Sequence, residues 1–367
     1  MSTRVNVALG TRSYHVAIGC RLLPALHDFV AGRGPSSAVL VSDSHVAPLH
    51  AAAVEHSLAG TCPVHRLTVP AGERSKSLSQ LGELYDTVLG KGLADRSSIV
   101  LALGGGVVGD LAGFLAATLL RGLSYIQLPT SLLAMVDSSV GGKTAINHAA
   151  GKNLIGAFHQ PAAVFCDTAF LGTLPKREYV SGLAEVVKTA VIGDAALLAW
   201  LEGNVDAVLS GDAAALEHLL QACVRFKAGV VERDEHETGG LRAMLNFGHT
   251  FGHVLEAAWP GRLLHGEAVA MGMVAALGLS VRHAGLAPEC ARRVVALLGR
   301  FGLPTALPGS PVLDEATVLA YLRGDKKRAA DSVSFVLLGA PGETRLQALK
   351  LETALARELL EAARGRA

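Results

Sequence analysis

The chain has 367 residues, half of them hydrophobic and 18% charged. That excludes a disordered polypeptide and exceeds what one typical core encloses, so two domains are expected. Lys and Arg total 33 against 32 Asp and Glu, a formal net charge of +1, which excludes wholesale binding to nucleic acid or an anionic membrane surface.

The N-terminal stretch "MSTRVNVALGTRSYHV" carries no signal-peptide apolar region, and "RVNVAL" and "SYHVAIG" read as a β-hairpin. "AVLVSD" (38–43) reads as a buried strand ending in an acid, and "VHRLTVP" (64–70) as another. "SLSQLGELYDTVLGKG" has helical periodicity and a glycine stop. "SSIVLAL" (97–103) is a strand, followed by glycines and the helical "VVGDLAGFLAATLL". The stretch 98–120 is long enough to be mistaken for a membrane span, but its glycines and Asp110 favour strand, turn and helix. "SYIQLP" and "AAVFCD" complete a set of strands alternating with helices, which predicts a mainly parallel sheet with helices on both faces.

After "TLPKREY" (173–179) Ala/Leu/Val-rich helical patterns run to the C-terminus, with one strand-like interruption, "SVSFVLLG" (332–339). The boundary falls near 172–180, giving an α/β domain over 1–175 and a mainly helical one over 176–367. No internal repeat appears. Five scattered cysteines without a C-x-x-C (Cys20, Cys62, Cys166, Cys223, Cys290) point to reduced thiols in a cytosolic protein and away from a thiolate zinc site.

Three constellations carry chemistry. Gly104-x-Gly106-x-x-Gly109 lies between a strand and a helix, the arrangement in which backbone amides receive a pyrophosphate. The ribose-binding acid about 20 residues further on is missing, and Asp43 is the candidate to replace it. Asp110 beside that turn suggests contact with a hydroxyl or amide. "DSSVGGKT" (137–144) ends like a P-loop but begins with Asp137, so the phosphate-wrapping turn is not encoded, though Lys143 can still serve a phosphate as a point charge.

Second, Arg242, Asn246, His249 and His253 fall at i, i+4, i+7 and i+11. One continuous helix would carry them as a polar stripe on an apolar segment, which is costly unless it lines a site. His265 follows before a strongly apolar helix, a place where a lone histidine is usually a cap or a surface residue. Third, Glu185 and Lys188 stand at i, i+3 on an apolar helix. They read either as a snorkelling surface pair or, with two histidines, as part of a zinc site with an open position. No H-E-x-x-H occurs, so a zincin protease is not supported. The basic groups around Lys143, Lys152 and Asn153, Lys227, and Lys326 with Lys327 cannot be joined into one pocket by pattern alone.

Taken in order, "GGGVVGDLAGF", "RGLSYIQLPTSLLAMVDSSVGGKTAINHAAGKNLIGAFHQP", "GLAEVVK", "RAMLNFGHTFGHVLE", "HGEAVAMGM" and "DKK" resemble the 3-dehydroquinate synthase family of sugar-phosphate cyclases along nearly the whole chain. The resemblance implies a Rossmann-like NAD-binding sheet, a helical second domain, and an active site in the cleft between them. It implies a divalent metal, zinc or cobalt, held by Glu185, His249 and His265, with His253 on the substrate instead. NAD would be held around Gly105, Gly106, Val107, Gly109 and Asp110, with Asp43, Glu73, Lys76, Thr130, Ser131, Lys143, Lys152 and Thr173 contributing. Substrate phosphate and carboxylate would meet Lys152, Asn153, Lys188, Lys227, Arg242, Asn246, His253 and one of Lys326 and Lys327. Catalytic roles would fall to His253, Lys143, Lys152 and Asp137.

Arg121 would reach the neighbouring subunit's phosphate site, which implies a cytoplasmic homodimer. The implied reaction is phosphate elimination from 3-deoxy-D-arabino-heptulosonate 7-phosphate followed by ring closure, with NAD regenerated each turnover. Thr189-Ala190 and Leu322 depart from the family's common residues at positions with no assigned role. The alternatives are a cyclase making a deoxy-inosose or a valiolone, and a metal-dependent NAD alcohol dehydrogenase of the glycerol dehydrogenase type. Intact Glu185, His249 and His265 speak against an inactive NAD-binding module.

Overall fold

The structure, a computed structural model, describes residues 3–309, 312–325 and 331–364. Lys326 and Lys327 lie outside them. The chain divides into two compact units. The first comprises the chain up to Pro175 together with Leu216–His236, and the second comprises Lys176–Ala215 and the chain from Glu237 onward.

The first unit is built on a seven-stranded sheet in the order β1-β2-β9-β6-β5-β3-β4. Its strands are β1 (Thr3–Val7), β2 (Tyr14–Gly19), β3 (Ala38–Asp43), β4 (Val64–Val69), β5 (Ile99–Gly104), β6 (Ser124–Pro129) and, after the hairpin described below, β9 (Ala163–Asp167). Every pairing is parallel except β1 with β2. β5 and β9 are buried at every residue, as parallel strands covered on both faces require. The intervening helices are α1 (Leu23–Arg33), α2 (Ala52–Ser57), α3 (Leu78–Gly90) and α4 (Gly106–Thr118). α3 starts where the Ser77 hydroxyl accepts from the Gln80 amide at 3.2 Å.

The apolar stretch 98–120 is β5, a turn and α4. Among the described residues no helix is long and apolar enough to cross a membrane. β7 (Lys143–His148) and β8 (Gly151–Phe158) form a separate antiparallel hairpin that the sequence reading did not identify. It packs close to α4, where a Cβ on Gly113 would come within 2.5 Å of the Thr144 methyl.

The second unit contains α5 (Lys176–Gly193), α6 (Ala195–Gly203) and α7 (Val205–Ser210), and the first turn of α8 (Ala213–Arg233). It continues with α9 (His249–Ala258), α10 (His265–His283), α11 (Pro288–Arg300) and α12 (Glu315–Asp325). A hairpin of β10 (Ser332–Ala340) and β11 (Glu343–Lys350) and the last helix, α13 (Thr353–Ala363), close it. Its core joins Phe251 and Leu255 of α9, Met271 and Ala275 of α10, Phe335 of β10 and Leu359 of α13. The expected interruption at 332–339 is β10; β11 was not anticipated.

α8 departs from a single boundary at 175/176. From Leu216 onward it belongs to the first unit, because its polar groups are tied to the N-terminal strands. Glu217 accepts from the Thr3 hydroxyl at 2.8 Å, and Glu232 from the Ala8 amide at 2.7 Å. Just past the helix, Glu235 pairs with Arg12 at 2.6 Å.

Candidate active site

In the second unit, α5 carries Glu185 and Lys188 one turn apart, and the surface-pair reading of them is wrong. They are 1% and 2% exposed and form an ion pair through Glu185 Oε2. The other oxygen, Oε1, faces His265 Nε2 at 3.5 Å and His249 Nε2 at 3.6 Å. These three residues are the His/Cys/Asp/Glu group, among the described residues, whose ligand atoms all fall within 4.8 Å of one another. A tetrahedral ion with bonds of about 2.1 Å spaces its donors roughly 3.4 Å apart, so the cluster fits a divalent metal. Both oxygens of Glu185 are buried; Oε2 meets the Lys188 ammonium, while Oε1 has no hydrogen-bond partner in good geometry, as expected of an oxygen shaped to receive a cation.

Each histidine presents Nε2 because its other nitrogen has a partner. His265 Nδ1 lies 3.1 Å from Glu256 Oε1, and His249 Nδ1 lies 3.3 Å from the Phe247 carbonyl. Burial pushes the Glu185 carboxyl up, but Lys188 and the two imidazoles outweigh it and hold it well below the usual range. Burial, with Lys188 adding to it, drives the His249 imidazole down to about 3, so it stays neutral as a ligand must. His265 is also pushed down by burial, yet the Glu185 and Glu256 carboxylates prevail and hold it up at about 9.

The expected single helix through Arg242, Asn246, His249 and His253 is broken. Residues 241–246 form a 3₁₀ segment, Gly248 takes φ +80°, and α9 begins at His249. A Cβ on Gly248 would come within 2.9 Å of the Met273 amide nitrogen and 3.0 Å of the Val269 carbonyl oxygen. Only glycine accepts both the positive φ and that approach. The break sets His249 at the very start of α9, beside α10. His253 is exposed, its ring 5.6 Å from that of His249, and is not part of the ligand cluster. Arg242 is buried and Asn246 exposed.

His265 is the first residue of α10. That turn is anchored by Glu267, which accepts from the Leu264 amide at 2.9 Å and is gripped by both ends of the Arg177 guanidinium. It is also clasped to α5, because the Gly266 amide donates to Ser181 Oγ at 3.0 Å.

In the first unit the glycine turn joins β5 to α4 as expected. β3 and β5 are neighbours whose connections leave in opposite directions, to β4 and to β6, so their carboxyl ends form a topological switch point. Asp43 ends β3 and Gly104 ends β5. Gly105 caps α4, and no side chain caps its first turn, which leaves the amides over Gly106 and Val107 for an anionic ligand. Gly109 packs against β6, where a Cβ would come within 2.8 Å of the Gln127 side chain. Thr130 and Ser131 follow β6, and the Thr130 amide donates to the Gly104 carbonyl at 3.0 Å. These features fit a dinucleotide.

Asp110 has its partner in Lys76, at 2.7 Å, not in a free hydroxyl or amide. Lys76 is buried and also bonds the Asn153 side chain, while Glu73 lies 3.7 Å from it and accepts from Asn147 at 2.8 Å. Burial pushes the Asp110 carboxyl up, against the pull of Lys76. Lys227 Nζ meets both the carbonyl and the carboxylate of Asp137 at 2.6 Å.

Asp43 Oδ1 accepts from the His45 and Val46 amides at 2.8 and 2.9 Å, and Thr173 Oγ1 lies 2.7 Å from His50 Nε2. Lys143 and Lys152 are exposed on the β7–β8 hairpin. Arg121 is exposed in a left-handed conformation, φ +68°. "DSSVGGKT" runs from a helical turn into β7, unlike a P-loop, which runs from strand into helix. Sequence reasoning missed Glu256, although it stands seven residues after His249, two turns on along the same face of α9.

Profiles described as 3-dehydroquinate synthase N-terminal and C-terminal match residues 66–181 and 182–328. A 3-dehydroquinate synthase from Rhodospirillum rubrum is 50% identical over 353 residues, 94% of this chain and 91% of that one. Among solved structures, a 2-deoxy-scyllo-inosose synthase complexed with carbaglucose-6-phosphate, NAD+ and Co2+ superposes with a TM-score of 0.88 at 28% identity, covering 97% of this chain and all of the other. A 2-epi-5-epi-valiolone synthase from Streptomyces hygroscopicus with NAD+ and Zn2+ bound gives 0.87 at 29%, covering 98% and 99%. With both profiles matched in order across the carboxylate–histidine cluster and the glycine turn, the chain belongs to the 3-dehydroquinate synthase family.

Proposed function

We propose that this chain converts 3-deoxy-D-arabino-heptulosonate 7-phosphate to 3-dehydroquinate and phosphate, as a phosphate-eliminating lyase that uses catalytic NAD and a divalent metal. The observation that carries the reading is the Glu185–His249–His265 cluster, built on a buried carboxylate, in a chain half identical to a 3-dehydroquinate synthase. Glu185, His249 and His265 hold the metal. The turn from Gly105 to Asp110, with Asp43, Glu73, Lys76, Thr130, Ser131 and Thr173, holds the dinucleotide. Held by these residues, NAD would supply reversible hydride chemistry and the metal would supply Lewis acidity toward substrate oxygens.

The chain's own residues do the rest. A substrate with a carboxylate and a phosphate needs several cations, which Lys143, Lys152, Lys188, Lys227 and Arg242 supply, with Asn153 and Asn246 as neutral partners. Lys188, paired with Glu185, sits in a buried setting, where a cation acts most strongly on a developing oxyanion. Asp137, held through both of its oxygen-bearing groups by Lys227, orients the reacting end. His253, exposed on α9 one turn past His249, contacts substrate instead of metal. Arg121 serves the phosphate site of a second copy in a cytoplasmic homodimer, and one of Lys326 and Lys327 joins the substrate contacts.

A deoxy-inosose or valiolone cyclase is the second reading, with which the superpositions are consistent. Identity of 28% and 29% to those enzymes, against 50% to the 3-dehydroquinate synthase, supports the first. Incubation with the heptulosonate phosphate, NAD and zinc is expected to release phosphate stoichiometrically with no NADH accumulation. Steady NADH build-up overturns the cyclase reading in favour of an alcohol dehydrogenase, and turnover of a hexose 6-phosphate alone shifts it to the second cyclase.

A further inference from the structure

We infer that Glu256 is a positioning residue of the metal centre, setting which nitrogen of His265 is offered to the ion and how the ring is turned. The inference rests on the reading of Glu185, His249 and His265 as metal ligands. An imidazole has two nitrogens, and only the one without the hydrogen can donate a lone pair to a metal. A carboxylate beside Nδ1 draws the hydrogen there and directs the Nε2 lone pair outward. In this chain Glu256 Oε1 lies 3.1 Å from His265 Nδ1, while Nε2 faces Glu185 Oε1 at 3.5 Å.

Glu256 is not itself a ligand. Its carboxylate sits against Nδ1, across the ring from the nitrogen that faces Glu185, and it falls outside the set of mutually close ligand atoms. The two histidines need such help unequally. The His249 side chain is 12% exposed, walled by packing, and its Nδ1 has a carbonyl at 3.3 Å. The His265 side chain is 35% exposed, with less packing to fix its rotamer, so a charged partner does the fixing. Glu256 shares α9 with His249, so one rigid helix carries a ligand in its first turn and the carboxylate that aims the ligand on α10. Nothing in this arrangement requires Glu256 to touch substrate.

The test uses the full-length protein stripped of metal. Zinc affinity is measured by chelator competition, cobalt loading by its visible absorption, and folding by the melting temperature of the metal-free form. Glu256→Ala is expected to weaken zinc by about 10–100-fold and to alter the cobalt spectrum. Glu256→Gln keeps an acceptor oxygen without the charge and is expected to fall between Ala and the parent.

If Glu256→Ala binds zinc as the parent does, while His265→Ala and Glu185→Gln lose it, the inference fails and the metal-centre reading stands. If His265→Ala and Glu185→Gln also bind like the parent, the metal-centre reading fails and the inference falls with it. A lowered metal-free melting temperature with parental zinc affinity assigns Glu256 to folding alone and likewise overturns the inference.

Discussion

Gly272, in the middle of α10, offers the most direct test of how the ligand helices are held together. A Cβ there would lie 2.0 Å from the Gly248 carbonyl oxygen and 2.8 Å from the Gly252 amide nitrogen. Both are backbone atoms at the start of α9, so no side chain can swing aside. Real Cβ contacts essentially stop at 3.0 Å, and Gly272→Ala therefore pushes α9 and α10 apart by at least about 1 Å. Overpacking of that kind costs about 3 kcal/mol at the upper end, and the helix propensity of alanine returns about 1, a net loss of roughly 2 kcal/mol. The same shift moves His249 from His265 by several times the roughly 0.2 Å tolerance of a metal site, so zinc affinity drops as well. Gly82→Ala is the control, because that glycine sits inside α3 with open space where its Cβ would go. It should stabilise the protein by about 0.5–1 kcal/mol. Thermal melts of the metal-free proteins and chelator competition read both quantities. A Gly272→Ala protein as stable as Gly82→Ala, with parental zinc affinity, would refute the close-packing argument.

Lys188→Met should destabilise the metal-free protein by about 3–5 kcal/mol, because it strands the buried Glu185 charge. Saturating zinc should restore part of that loss, and equal melting temperatures without metal would count against it. His265→Ala should lose bound zinc while His253→Ala largely keeps it, read by metal analysis after gel filtration; equal loss would overturn the assigned ligand set. Hydrogen bonds from Ser36 and Ser97 hold the exposed Asp95 carboxyl down at about 2 against 3.8 in the unfolded chain. A depressed carboxylate stabilises the fold above the unfolded value and ceases to do so as pH falls through the folded one. The melting-temperature advantage of the parent over Asp95→Asn should therefore shrink as pH drops from about 4 to about 2, and an advantage constant across that window would contradict the assignment.

What could be read from the residues follows from where each signal originates. β3, β5 and β9 are continuous apolar runs because the sheet buries both their faces, so they are visible without any partner in view. The β7–β8 hairpin is glycine-rich and polar, and exposed along much of β8, so its pairing leaves no apolar signature. β11 alternates half-buried with exposed residues, too weak a pattern to stand out beside helices. Glu185 and Lys188 look alike at i, i+3 whether they face solvent or a core; only the packing around α5 distinguishes the two. Spacing from Arg242 to His253 suggested one helix, since a spacing rule cannot register the positive φ at Gly248. The family resemblance brought Glu185 and His265 to His249, which periodicity alone did not, and Glu256 went unnoticed by both.

The membership of α8 bears on how this chain is made and cut. The polypeptide passes from one unit to the other at 175/176, returns at 215/216 and leaves again at 236/237. During synthesis the N-terminal sheet can pair its strands early, but its polar edge at Thr3, Ala8 and Arg12 waits for Glu217, Glu232 and Glu235 to emerge from the ribosome. By then 40 residues of the other unit, Lys176–Ala215, have already been extruded as an unfinished insert. A gene fragment stopped at the obvious boundary, codon 175, would encode a sheet lacking the helix that completes it, whereas one that bridges 175 to 216 with a short linker would supply the whole unit.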